Sequence, residues 1–363
     1  MRAFLLLEDG SVFEGISAGA KGTVGGEIVF NTSMSGYQEM ITDPSNYRQI
    51  VLMTYPLIGN YGINDQDNES NAAHIGGLIV RELCKQPSNW RMTQSLECYL
   101  KENNIVAIEG VDTRELTKII RQKGTLYGVI TTEENLDYNA FRATTDHNIN
   151  NNCVKEVTCK TAYTVCTKNN KFNVALIDLG TKLGMIKTLS SFGCDITVFP
   201  AYTSPGSILS GGFDGVVLSG GPGNPKEYDE ITQNIMVLQK EQIPIFGISL
   251  GHQLLALANG LDTEKMQSPH RGVNYPVVCN DKKISHITAQ NHGYVVTSKN
   301  LHKTDAIITH YNLNDNTIEG IRYNNAPAFS VQFYPGDTLH PFDTGYLFEQ
   351  LIHLMEVEMH AKR

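Results

Sequence analysis

The segment Gly247-Ile248-Ser249-Leu250-Gly251 sets a serine between two glycines, after the apolar run Ile243–Phe246 and before the apolar stretch Gln253–Ala258. A strand that turns tightly into a helix strains the central residue and lifts its side chain above the sheet edge, and flanking glycines relieve the crowding. Amides at the start of such a helix can stabilise a developing oxyanion. Taken alone, G-x-S-x-G suggests a hydrolase serine, and a plain strand-to-helix turn explains it equally well. A second loaded loop, Ser219-Gly-Gly-Pro-Gly-Asn-Pro225, comes after the apolar run Gly215–Leu218.

The elements around these loops have a clear rhythm. Strand-like runs at Asn173–Asp178, Asp195–Phe199, Gly215–Leu218 and Ile243–Phe246 alternate with helix-like stretches at Lys182–Ser191, Ile231–Lys240 and Gln253–Ala258. That alternation predicts a mostly parallel sheet flanked by helices, with ligands at the carboxyl ends of its strands. The first half reads differently. Short runs at Ala3–Leu7, Ser11–Phe13 and Glu27–Phe30, separated by glycine-rich turns, predict a β-rich layer. Strands are expected at Ile105–Glu109 and Leu126–Thr131, and helices at Asn89–Leu100 and Thr113–Arg121. From about Ala143 to Lys171 the chain turns to Asn, Thr and Lys. The fold class is therefore α/β in two domains: an N-terminal β-rich α/β domain over 1–150, a polar linker over 151–171 and a C-terminal domain over 172–363.

Composition narrows the function. The chain has 363 residues, enough for two cores, and its 41% hydrophobic content is ordinary for a globular protein. A net charge of -9 argues against nucleic acid as a partner. The apolar runs are too short to span a bilayer, and Glu8 and Asp9 come too soon after the first run for a signal peptide. Seven scattered cysteines without zinc spacing read as reduced thiols of a cytoplasmic protein with no metal site.

Several motifs occur jointly: GISLGHQLLALAN over 247–259, the loop at 218–225, and Thr288-Ala-Gln-Asn-His-Gly-Tyr294. The first half adds Phe30-Asn-Thr-Ser-Met-Ser-Gly-Tyr-Gln-Glu39, Thr42-Asp-Pro44, Tyr55-Pro56, Gly59-Asn60, Asn64-Asp65 and Val111-Asp-Thr-Arg114. Over nearly its whole length the chain resembles the small-subunit family of carbamoyl-phosphate synthetase, whose C-terminal half is a class I glutamine amidotransferase. The resemblance implies glutamine hydrolysis by a Cys thiolate, a His acid/base and an orienting Glu. The ammonia would pass to a large synthetase subunit for arginine and pyrimidine biosynthesis. ATP and Mg are expected only in that partner, and no cofactor in this chain.

At the matching positions the family's Cys, His and Glu are Ser249, Tyr334 and Gly336. The glutamine contacts fall on Ser33, Gly221, Gly223, Leu250, Gln253, Asn291, Gly293 and Tyr294. In His270-Arg-Gly-Val-Asn-Tyr-Pro276 the family's His before Pro is Tyr275, a further departure.

The three replacements are chemically coupled. A thiol titrating near 8.5 is partly ionised at neutrality, whereas a hydroxyl needs a base to attack at all. Tyrosine titrates near 10 and is a poor proton acceptor at pH 7, and glycine orients nothing. The expectation is a glutaminase-impaired subunit kept for its partner, with free ammonia as nitrogen source. Two alternatives stay open: an active glutaminase with a non-standard base such as His340, near Asp337, or a G-x-S-x-G serine hydrolase. His252 and His292 are expected to be structural.

Overall fold

The structure, a computed structural model, describes residues 1–134, 136, 137, 139, 141, 152–336 and 344–361. His340 and Asp337 lie outside the described residues. The chain divides into two units, Met1–Ile149 with Gln267–Gly272, and Asn150–Met266 with Val273–Arg363.

In the first unit the strands are β1 (Arg2–Leu7), β2 (Val12–Ser17), β3 (Thr23–Asn31), β4 (Ile50–Met53), β5 (Leu57–Ile58), β6 (Gly77–Val80), β7 (Glu82–Leu83), β8 (Val106–Glu109) and β9 (Leu126–Thr131). Seven of them close into a barrel in the order β1-β2-β8-β6-β4-β3-β9, which leaves no open sheet edge. Along β1 the alternate residues Ala3, Leu5 and Leu7 point into the core, the period of two that a one-sided strand requires. The short β4, β6 and β8 are buried throughout and pair in parallel, as strands covered on both faces do. The β-rich layer expected from the sequence is thus a closed barrel with a parallel segment.

Among the described residues α1 (Tyr37–Thr42), α2 (Leu96–Glu102) and α3 (Thr113–Lys123) accompany it. The helix expected over Asn89–Leu100 starts only at Leu96. Ser95 caps it there by accepting from the Cys98 N–H, and Gln94 is held in a bridge to Ile63. Asp112 caps α3 in the same way, accepting from the Glu115 N–H at 3.0 Å.

The second unit begins with α4 (Cys153–Val157) and β10 (Tyr163–Val165), both inside the stretch expected as a polar linker. β10 pairs antiparallel with β12 (Cys194–Pro200), so this polar segment serves as a solvated sheet edge, where polar residues are suited. Next to β12 run β11 (Phe172–Asp178), β13 (Gly215–Leu218), β14 (Ile245–Ile248) and β19 (Ala328–Val331), all parallel. An antiparallel arm of β15 (Asp262–Cys279), β16 (Ile284–Thr297), β17 (Ala306–Asn312) and β18 (Ile318–Tyr323) completes a ten-stranded sheet.

Helices α5 (Leu183–Ser191), α6 (Pro205–Leu209), α7 (Asp229–Lys240), α8 (Leu250–Ala258) and α9 (Tyr346–Ala361) accompany this sheet. Two buried clusters hold the unit together, one around Leu218, Leu238 and Leu254, the other around Phe246, Phe329 and Phe348. Phe246 and Phe329 are partners on adjacent parallel strands, and their rings stack at 4.4 Å. Among the described residues no helix is long and apolar enough to cross a membrane.

Candidate active site

Strand β14 ends at Ile248 and α8 starts at Leu250, so a single residue, Ser249, makes the turn. Its backbone sits at φ 53° and ψ −108°, a sparsely populated region for a residue with a Cβ. Packing on either side enforces the flanking glycines. A Cβ on Gly247 would lie 2.7 Å from the Gly251 carbonyl oxygen, and one on Gly251 would collide with the Leu218 carbonyl. The Ser249 N–H donates to the Val331 carbonyl at 2.9 Å, and the Gly251 N–H donates to the Ser219 carbonyl at 3.0 Å. The elbow is therefore fastened to β19 on one side and to the glycine-rich loop on the other. Ser249 is buried, and no hydrogen-bond partner reaches its hydroxyl among the described residues.

The glycine-rich loop leaves the end of β13. Ser219 fixes its start, its Oγ accepting from the Leu179 N–H and donating to the Gly220 carbonyl, both at 2.9 Å. A side chain at Gly221 would strike the Leu179 carbonyl and crowd Leu250. Gly223 sits at φ 93°, in left-handed territory. The N–H groups of Gly221 and Leu250 have no protein acceptor among the described residues. Two donors from adjoining backbone segments are what stabilisation of an oxyanion needs.

Tyr334 closes in from a third direction. Its N–H donates to the Ala289 carbonyl at 3.0 Å, pinning the segment after β19 to β16. Its phenol lies against the glycine-rich loop: a Cβ built on Gly220 would fall 2.5 Å from the hydroxyl oxygen. The Lys182 ammonium stands 3.9 Å from the ring centroid, a cation–π contact. Gly336, at φ 69°, donates its N–H to Thr344 Oγ1 at 3.3 Å and carries no carboxylate. The positions matched to Cys, His and Glu thus hold a hydroxyl with no hydrogen-bond partner among the described residues, a phenol packed on the loop, and no side chain.

The residues matched to glutamine contacts divide. Gly221, Gly223 and Leu250 belong to the elbow and its adjoining loop. Gln253 is buried on α8, and its amide nitrogen donates to the Tyr294 carbonyl at 2.8 Å and to Gln332 Oε1 at 2.9 Å. Expected as both donor and acceptor for an amino-acid head group, it spends both amide hydrogens inside the protein. Asn291, Gly293 and Tyr294 lie half-buried on β16. Ser33 belongs to the first unit, where Asn31 Oδ1 accepts its N–H at 2.8 Å.

A buried polar network in the same unit is scarcely visible in the sequence. His292 is hydrogen-bonded at both ring nitrogens, to the Tyr294 carbonyl at 2.8 Å and Gln290 Oε1 at 3.0 Å. Gln290 and Asn312 each donate an amide hydrogen to Glu319 Oε1 at 3.0 Å. Only the Gln-Asn-His run hinted at it, since strand glutamines ordinarily read as surface residues.

His252 is fully buried, with Nδ1 2.7 Å from Ser330 Oγ. Burial, with the nearby His310, pulls its pKa down to about 3. It is a neutral packing histidine with no hydrogen bond to the Ser249 hydroxyl.

Comparison with known proteins agrees with this architecture. The family model described as carbamoyl-phosphate synthase small chain, CPSase domain, matches residues 5–130, and that of glutamine amidotransferase class-I matches 175–354. The carbamoyl phosphate synthase small chain of Syntrophotalea carbinolica is 46% identical over 98% of both chains. The pyrimidine-specific small chain of Halalkalibacterium halodurans is 45% identical over 99% of both, and that of Bacillus subtilis is 43% identical over 98% of this chain and 96% of its own. With both domains matched and relatives similar from end to end, the chain belongs to the carbamoyl phosphate synthase small-chain family.

Proposed function

We propose that this small chain pairs with a large synthetase subunit and no longer hydrolyses glutamine. The observation that carries this reading is Tyr334. It occupies the position of the family's acid/base with a side chain that is a poor proton acceptor at neutral pH, and its phenol rests on Gly220 of the oxyanion loop. Ser249 has neither the acidity of a thiol nor a base within hydrogen-bond reach among the described residues. His252 is tied to Ser330 and His292 to Tyr294 and Gln290, so neither supplies the missing base.

What persists is the scaffold: the strained elbow, two amides beside it with no acceptor among the described residues, and the first unit with its family match. A scaffold kept without its chemistry fits a subunit retained for assembly, with the synthetase drawing on free ammonia. In this reading ATP and Mg act in the large partner, and the product feeds arginine or pyrimidine synthesis in the cytoplasm.

The test is glutamate release from glutamine by the purified chain, alone and with its large subunit, using Ser249→Ala as control. The reading expects no release above the control and carbamoyl phosphate synthesis that depends on added ammonia. Release that vanishes in Ser249→Ala would overturn it, and a serine-directed fluorophosphonate that labels Ser249 would count against it too.

A further inference from the structure

In the first unit the parallel strands β4, β6 and β8 end side by side, and residues just past all three line one cavity of about 690 Å³. Thr54 comes directly after β4, Arg81 directly after β6, and Asp112 and Thr113 lead from β8 into α3. The carboxyl ends of parallel strands are where α/β sheets bind ligands, because the chain there opens into loops and helix N-termini.

The lining is strongly cationic. Arg114, Lys118 and Arg121 recur at spacings of four and three along α3, which puts them on one helical face, and Arg81 lines the same space. None of the four has a carboxylate partner among the described residues; Arg81 makes only a 3.3 Å bond to the Gly110 carbonyl. Among the described residues Asp112 is the single carboxylate in the lining, and its Oδ1 is engaged by the Glu115 N–H. In a chain of net charge -9, four cations around one cavity, with no acidic partner among the described residues, form a local focus of positive potential.

Hydroxyls and backbone donors complete it. Thr54, Thr113 and Thr117 line the same space, and the N–H groups of Thr113 and Arg114 have no protein acceptor among the described residues. Guanidinium forks, hydroxyls and a helix N-terminus together suit the several acceptor oxygens of a phosphate group better than a lone carboxylate.

We propose that this cavity is a binding site for a small phosphate-bearing anion, separate from the amidotransferase elbow and independent of whether glutamine is hydrolysed. The shared chemistry covers inorganic phosphates and phosphate esters, and the experiment distinguishes them.

The full-length chain is titrated calorimetrically with inorganic pyrophosphate and with ribose 5-phosphate, at fixed ionic strength and against sodium chloride. Binding of at least one probe is expected. The Arg81→Gln/Arg121→Gln double variant should weaken it about a hundredfold, because each lost charge-assisted bond is worth about 1.4 kcal/mol or more, a factor of about ten apiece. Lys101→Gln, on α2, should leave it unchanged. Pyrophosphate alone would assign the site to inorganic phosphates, and ribose 5-phosphate with greater affinity to esters. No heat above chloride with either probe, or equal affinity in the double variant with its circular dichroism intact, would overturn the proposal. Loss of large-subunit binding in the double variant, with no probe binding by the wild type, would overturn it in favour of an acidic protein surface.

Discussion

The Lys182 ammonium stands 3.9 Å from the centroid of the Tyr334 ring, while the phenol of the same ring lies against Gly220. The ring is therefore gripped from the start of α5 and from the oxyanion loop, and its place in the site is a packing position as well as a chemical one.

Gly220→Ala is expected to destabilise the second unit by about 1–3 kcal/mol, because its methyl group would fall 2.5 Å from the Tyr334 hydroxyl. The cost should shrink in a Tyr334→Ala background. Urea unfolding of the four proteins in a double-mutant cycle gives the coupling, and strict additivity would show that the two side chains do not compete for space.

Restoring the chemistry should take all three positions. Ser249→Cys, Tyr334→His and Gly336→Glu made singly should leave glutamate release at background, and the triple variant should raise it measurably. Gly336 is left-handed at φ 69°, so glutamate there carries a backbone cost of about 1–2 kcal/mol. A Cβ at this position meets the Phe348 ring only at 3.4 Å, so there is room for it. A single variant with full activity would refute the coupling.

Ser249→Ala removes a hydroxyl with no hydrogen-bond partner among the described residues, and should shift stability by about 0.5 kcal/mol or less. Gln253→Leu removes two donated bonds and strands the Gln332 carbonyl, so a loss of about 2 kcal/mol is expected. Chemical denaturation of both variants checks the contrast, which would fail if the two proved equal.

Acid should find the buried histidines. Burial holds His252 at about 3 and His310 at about 4, both below the ordinary value near 6.5. The unfolded chain therefore binds protons at these sites before the folded one does. The contribution is fully present above about pH 6.5 and is lost as pH falls toward the folded values, by up to about 1.4 kcal/mol per pH unit for each histidine. Between pH 7 and pH 5, unfolding free energy should fall less steeply in His310→Asn than in the wild type. Parallel slopes would mean that His310 titrates normally.

Much of this protein is legible in its residues. The elbow, the glycine-rich loop and the strand-helix alternation are local features, each dictated by the steric needs of a few consecutive positions. Glycines 247 and 251 announce a tight turn because a Cβ at either would run into nearby backbone. The replaced positions 249, 334 and 336 are equally plain, because each lies inside a short motif.

Tertiary structure alone decided the rest. Barrel closure in the first unit depends on pairing between strands far apart in sequence, and so does the use of Tyr163–Val165, inside the stretch expected as a polar linker, as a sheet edge. Gln290, Gln332 and Glu319 look like ordinary polar residues until long-range packing buries them and forces them into hydrogen bonds with other buried side chains. Arg81 and Arg121 stand 40 positions apart, and only parallel pairing of β6 and β8 brings them to one cavity. Short-range sterics are written in neighbouring residues, whereas shared burial and summed charge come from distant segments that the sequence does not place together.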